Sequence, residues 1–138
     1  MPVLSAISIA RLMNCDRRLW DIVHKVAETF PVQVTAGWRG EKEQNECYAK
    51  HTSSLKWPKS KHNFIKADGT PLSLAVDLCP IKNGQADLHD LKLIKEMGIY
   101  VLSVAADIGI KIRWGWDWDK DGKLQEKGEN DGYHFELT

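Results

Sequence analysis

His62, Asp77, Asp131 and His134 are the residues whose types could do chemistry together. Two imidazoles and one carboxylate form the donor set of a catalytic zinc site, which takes three protein ligands and keeps a fourth place for water. An acid three residues before the last ligand, Asp131, can exchange a proton with that water. The other three of the five histidines sit in plainer surroundings. His24 falls on a helix, His51 in a loop and His89 in a helix first turn, where surface placement is the ordinary expectation. His62 lies in Ser60-Lys61-His62, ahead of the apolar run Leu74-Ala75-Val76-Asp77-Leu78, and His134 lies in Asp131-Gly132-Tyr133-His134-Phe135-Glu136. Taken alone, residues so far apart are a weak signal, and an Asp in an apolar strand can equally cap a neighbouring turn.

A second pattern is Asp117-Trp118-Asp119-Lys120-Asp121-Gly122-Lys123-Leu124. It has the D-x-D-x-D-G opening of an EF-hand calcium loop, with an apolar residue at the eighth place. The twelfth place holds Gly128 instead of Glu, although Glu126 or Glu129 could substitute. Asp117, Asp119 and Asp121 are candidate calcium ligands. The plainer alternative is an acidic, solvated turn.

These residues need elements to position them. Leu12, Cys15, Leu19, Ile22, Val23, Val26 and Phe30 fall at helical spacing, so residues 7–30 read as one amphipathic helix ended by Pro31. Val32 to Thr35 reads as a short strand stopped by Gly37. Glu41 to Lys50 reads as a polar helix, residues 51–61 as a loop, and Leu74 to Leu78 as a strand. Asp87, with Asp90 three residues on, resembles an N-cap followed by a first-turn acid. A second long helix then carries Leu91, Ile94, Met97, Val101, Val104 and Ile108. Ile110 to Trp114 is a strand, Asp117 to Asp131 a loop, and Tyr133 to Leu137 the last strand. Without a βαβ rhythm, the expected class is α+β: a small antiparallel sheet packed with two long helices, in one domain over residues 1–138.

Bulk composition narrows the function classes. Apolar residues make up 43% and charged residues 28%, a globular balance. Formal net charge is zero, so no basic field points to nucleic acid or an anionic membrane. Arg11, Arg17 and Arg18 read as a solvated helix face. Cys15, Cys47 and Cys79 form no CxxC pair and read as free thiols. The start lacks a signal-peptide pattern, and the apolar run around Ile99 to Ala106 is too short to span a bilayer. Synthesis in the cytosol is expected, with release by another agent if the protein acts outside.

In order along the chain come Val34-Thr35-Ala36-Gly37-Trp38-Arg39 with Gln44, Ser60-Lys61-His62, Ala75-Val76-Asp77-Leu78, Trp114-Gly115-Trp116-Asp117-Trp118 and Asp131-x-x-His134-Phe135-Glu136. From about Thr35 to the C-terminus this string resembles the VanY-type zinc peptidases. That family includes D-alanyl-D-alanine carboxypeptidases, dipeptidases and phage L-alanyl-D-glutamate endopeptidases, and the hedgehog signalling domain shares its fold. The resemblance implies His62, Asp77 and His134 as zinc ligands and Asp131 as catalytic acid/base. Carboxypeptidase members usually have Glu there, and phage endopeptidases often have Asp. It implies Arg39 as the arginine that polarises the scissile carbonyl or binds a substrate carboxylate. It places Gln44 and Ser60 along the substrate cleft; ordinary helix and loop surface is their equal alternative.

The function so implied is a zinc-dependent peptidoglycan peptidase, an endolysin cutting the L-alanyl-D-glutamate bond of stem peptides. The alternatives are a D,D- or L,D-carboxypeptidase of the same family and a non-catalytic metal-binding module. Asp131 and Arg39 argue against the last. Bacterial peptidoglycan peptides are the expected partner, with no nucleic acid, no membrane insertion and a monomeric state. If phage-encoded, the protein would wait in the host cytoplasm before acting on the wall. One departure bears on the ligand set. The family normally separates the first His from the Asp by six residues, whereas here fourteen intervene. Asn63 to Ser73 includes the turn signal Asp68-Gly69, so Asp68 competes with Asp77. The Ala-Val-Asp-Leu strand favours Asp77, and the extra residues read as a hairpin flap near the cleft.

Overall fold

The computed structural model describes residues 4–138. The periodic stretch 7–30 is two helices and not one: α1, Ala6–Leu12, and α2, Arg17–Ala27. Between them Asp16 caps α2 by accepting from the Arg18 N–H, and Cys15 bridges Ser73. Leu12, Cys15, Leu19, Ile22, Val23 and Val26 are all buried. The apolar stripe therefore runs through the break, which hides it from a reading of spacing. The second helix stops at Ala27, ahead of Pro31.

Helix α3 spans Glu41–Ala49, and α4, the longest, spans Leu91–Asp107. The N-cap of α4 is Asp90, which accepts from the Leu93 N–H. Asp87 was the expected cap. It instead accepts from the N–H groups of His89 and Asp90 and folds the turn before the helix. The α+β class holds, with four α-helices among the described residues where two long ones were expected.

The strands are β1 (Val32–Ala36), β2 (Ala75–Lys82), β3 (Gln85–Ala86), β4 (Ile112–Gly115) and β5 (Asp131–Leu137). They form one antiparallel sheet in the order β1-β2-β5-β4, with β3 folded back on β2. Side chains alternate across a sheet, and that alternation divides structure from chemistry. Val76, Leu78, Phe135 and Trp114 join the core with Ile94, Met97 and Val101 of α4 and the stripe of α2. Trp114 stacks on Phe135 at 6.0 Å. Burying a side chain of Phe size contributes about 1.5–3 kcal/mol relative to leaving it exposed. The opposite face carries Asp77, His134 and Glu136. Asp77 pairs in register with His134, and Arg113 with Glu136.

Cys15 and Cys79 are buried and Cys47 is half-buried, all three as free thiols. Burial pushes the Cys15 thiol up to about 12 and that of Cys79 to about 11, so neither is a nucleophile near neutral pH. No helix among the described residues is long and apolar enough to cross a membrane.

Candidate metal centre

Three elements converge on one point. His62 comes from a single 3-10 turn, Lys61–Asn63, which Ser60 and Asn63 cap reciprocally. Asp77 comes from the middle of β2, and His134 from β5 directly opposite. His62 Nε2 lies 3.2 Å from Asp77 Oδ1 and 3.2 Å from His134 Nδ1. His134 Nδ1 lies 3.3 Å from Asp77 Oδ1. A tetrahedral ion at about 2.0–2.1 Å from each donor requires donors roughly 3.3–3.4 Å apart. The triangle has that size.

The chemistry of the donors agrees with the size. His62 Nδ1 lies 2.7 Å from the Gly37 carbonyl, which can only accept, so this nitrogen carries the proton and Nε2 is bare. His134 Nε2 lies 2.8 Å from Glu136 Oε1, which likewise assigns the proton to Nε2 and leaves Nδ1 bare in the neutral ring. Asp77 Oδ1 is a carboxylate oxygen. Three acceptors thus face one another with no hydrogen assigned between them. With both rings neutral a cation resolves that arrangement, and the residues fit zinc; in its absence a second proton on His134, shared with Asp77, can take that place.

The supports of these side chains are as specific as the side chains themselves. Gly37 packs so tightly that a Cβ there would sit 2.1 Å from the Arg11 carbonyl oxygen. Helix α1 therefore seats the carbonyl that orients His62. Glu136 is buried and takes Arg113 Nε at 3.0 Å and Lys61 Nζ at 3.2 Å on its second oxygen. Burial disfavours its charge, but His134 and the two cations prevail and bring its carboxyl down to about 2. Burial likewise opposes a charged His134, yet bonds to Asp77 and Glu136 lift it to about 9 in the metal-free chain. Trp118 closes the far side, its ring 5.2 Å from His134 and 5.4 Å from the Arg113 guanidinium.

Asp131 reaches the same cleft through a flaw in the sheet. Arg113 pairs with Glu136 and Trp114 with Phe135, but Gly115 pairs with Asp131. The register shift there lets Asp131 face the cleft together with His134 in spite of their odd spacing. Only glycine fits opposite, since a Cβ on Gly115 would lie 2.0 Å from the Asp131 carbonyl oxygen. Burial, and then the charge of Asp77, push the Asp131 carboxyl up, which suits an acid/base.

The cleft measures about 740 Å³, and its lining includes Arg39, Ser60, Asp131 and all three candidate ligands. Arg39 Nη2 donates to Asp77 Oδ2 at 2.8 Å. Ser60 also accepts from the His62 N–H. Gln44 corrects the expectation of a cleft-lining residue. It is fully buried, and its amide donates to Ser53 Oγ and the Leu55 carbonyl while accepting from Asn63. It ties the wall 51–60 to the turn bearing His62. Asp68 is exposed at a hairpin tip, where its carboxylate accepts from the Thr70 N–H. It lies outside the cluster of His62, Asp77 and His134. The hairpin forms, with Ile65 bridging Pro71, but residues 64–73 do not line the cleft. His24, His51 and His89 are exposed, and His51 sits on the cleft wall.

Ligand atoms of Asp117, Asp119 and Asp121 also come within 4.8 Å of one another, as do those of Asp119, Glu126 and Glu129. The loop's own backbone already occupies many of these oxygens. Asp117 accepts from the N–H groups of Asp121 and Gly122. Buried Glu129 accepts from those of Glu126 and Asp119.

Glu136, Arg113, Lys61 and Trp118 were missed as parts of the site. On a strand, residues two apart share a face, so Glu136 beside His134 was open to detection. The Gly37 carbonyl, a backbone group, had no signal.

The family model described as phage L-alanyl-D-glutamate peptidase matches residues 3–138. The crystal structure of the Serratia marcescens L-Ala D-Glu endopeptidase ChiX is similar, with a TM-score of 0.75 and 21% sequence identity. That match covers 99% of this chain and 91% of the Serratia chain. No curated protein matches in sequence.

Proposed function

The chain belongs to the phage L-alanyl-D-glutamate peptidase family, and from that premise we propose that it hydrolyses the L-alanyl-D-glutamate bond of peptidoglycan stem peptides with a zinc ion held by His62 Nε2, Asp77 Oδ1 and His134 Nδ1. The triangle of three bare acceptors beside Asp131 in an open cleft is the observation that carries this reading. A zinc ion bound there supplies Lewis-acid polarisation of the attacking water and the scissile carbonyl.

The chain's own residues do the rest. Asp131 takes a proton from the water as its oxygen adds to the alanyl carbonyl carbon. It returns that proton to the D-glutamyl nitrogen as the C–N bond breaks. Arg39 spends one N–H edge on Asp77, which fixes the guanidinium at the cleft wall. Its other donors serve the oxyanion that develops on the carbonyl. Glu136 and the Gly37 carbonyl keep both imidazoles in the tautomers that leave their inner nitrogens free.

Digestion of purified peptidoglycan followed by mass analysis tests the assignment. The expected products are stem peptides that begin with D-glutamate and glycan strands that retain L-alanine. Loss of a terminal D-alanine alone would assign a carboxypeptidase instead.

A further inference from the structure

Two chain segments that each contribute to the cleft wall carry opposite charge, although the whole chain is neutral. Residues 50–61 hold Lys50, Lys56, Lys59 and Lys61 with no acid among them, whereas residues 117–131 hold six acids against three lysines. Most cations that line the cleft are engaged. Arg39 pairs with Asp77, and Lys61 and Arg113 pair with Glu136. Lys59 lines the cleft, is exposed, and forms no ion pair among the described residues. Its backbone is fixed by an N–H bond to the Lys56 carbonyl. The next residue, Ser60, caps the turn that presents His62. An unpaired ammonium is thereby carried on the cleft wall, one residue before the cap of the turn that bears His62.

The substrate chemistry supplies a match. A glutamyl residue joined through its amine to alanine and through one carboxyl to the rest of the stem keeps its other carboxyl free. When the free group is the α-carboxylate, it sits on the carbon that bears the scissile nitrogen. We propose that Lys59 binds this free D-glutamyl carboxylate, so that the enzyme favours stems bearing the acid over stems in which the same group is amidated. The inference rests on the peptidase reading above. Lys59 thus takes the leaving-group side of the substrate, which sets the direction in which the stem lies.

The test uses three soluble stem peptides on the zinc-loaded full chain: D-glutamate free, D-glutamate amidated, and only the following residue's carboxyl amidated. Wild type should cleave the first and third alike and the second with kcat/KM lower on the order of tenfold, the scale of one charge-assisted contact. The difference should sit in KM and shrink with added salt. Lys59→Ala should bring the acid-to-amide ratio near one, and Lys59→Arg should restore most of it. Lys56 rests over the Tyr48 ring at 4.9 Å, away from the cleft lining, so Lys56→Ala should leave the ratio unchanged. Equal cleavage of acid and amide by wild type, a ratio unmoved by Lys59→Ala, or discrimination that follows the third peptide instead would each overturn the assignment. Absence of cleavage between alanine and glutamate in every peptide would overturn the peptidase reading itself, an outcome separate from those three.

Discussion

In the cluster of His62, Asp77 and His134, neighbouring groups occupy the outer nitrogens and leave the inner donor atoms bare. In the loop from Asp117 to Glu129 the arrangement is reversed. There the backbone N–H groups of Asp119, Asp121, Gly122 and Glu126 point inward and occupy the carboxylates. Both groups bring ligand atoms within 4.8 Å of one another, so proximity does not separate them. Hydrogen placement does. A cluster whose acceptors face only acceptors needs a cation or an added proton to be stable, because buried like-charged or lone-pair groups repel without one. A loop whose acceptors face its own amides can stand without one.

The largest contrast is expected when ligands are removed from each group. His62→Ala, Asp77→Ala or His134→Ala should abolish stoichiometric zinc in elemental analysis, and hydrolysis with it. Asp68→Ala, at the hairpin tip, should keep both. Asp119→Ala with Asp121→Ala should retain zinc and keep kcat within a few-fold of wild type. Full zinc retention in a His62→Ala, His134→Ala double variant would break the contrast at its root.

Next in size is Asp131. Asp131→Asn keeps the shape and removes the base, so kcat should fall ~10²–10⁴-fold with zinc content unchanged. Near-normal turnover would remove Asp131 from the mechanism. Asp131 also marks the limit of what the sequence alone makes legible. His62, Asp77, Asp131 and His134 stood out because their flanking residues fall in a family order. The register shift at Gly115 that turns Asp131 into the cleft was not readable, since it depends on how β4 meets β5. The break between α1 and α2 was hidden for a related reason: burial continues through Cys15, so periodicity persists where hydrogen bonding does not. Gln44 was misplaced because a polar residue on a polar helix looks exposed, whereas three hydrogen bonds let it be buried.

A smaller effect should follow from Glu136→Gln, which weakens the acceptor that fixes the His134 tautomer. Outer partners of this kind are typically worth about 10–100-fold in metal affinity, measured by competition with a zinc chelator. The metal-free protein offers a second readout. His134 is lifted from 6.5 to about 9 on folding. Its protonation therefore stabilises the fold fully below 6.5, and that contribution disappears as pH rises through about 9. Thermal stability of metal-free wild type should fall over that window. Zinc-loaded protein should not show the fall, because the bound ring is already neutral, and Glu136→Gln should flatten it in the metal-free state. A pH-independent metal-free wild type would show that Glu136 and Asp77 do not hold the proton as the geometry indicates.

The smallest effect belongs to the acidic loop and calcium. Asp117, Asp119 and Asp121 keep lone pairs beyond those given to the backbone, since each carboxylate has about four acceptor sites. The place where an EF-hand supplies a bidentate Glu holds Gly128. Calcium affinity should therefore lie at the weak end for such loops, about 10⁻⁴–10⁻³ M. At 10 mM calcium and a Kd of about 1 mM, linkage adds roughly 1.4 kcal/mol of stability. That is on the order of 2–6 °C in Tm for a domain of this size. Calorimetric titration of zinc-loaded protein should show this weak binding, and Asp119→Ala with Asp121→Ala should remove it. Trp118 joins the loop to the Arg113 guanidinium and the His134 ring, so its fluorescence should respond in the same titration. No heat and no Tm shift up to 10 mM would mean that the backbone amides alone satisfy the loop. The contrast with the histidine cluster would then be complete: one group arranged to take a cation, the other closed by its own chain.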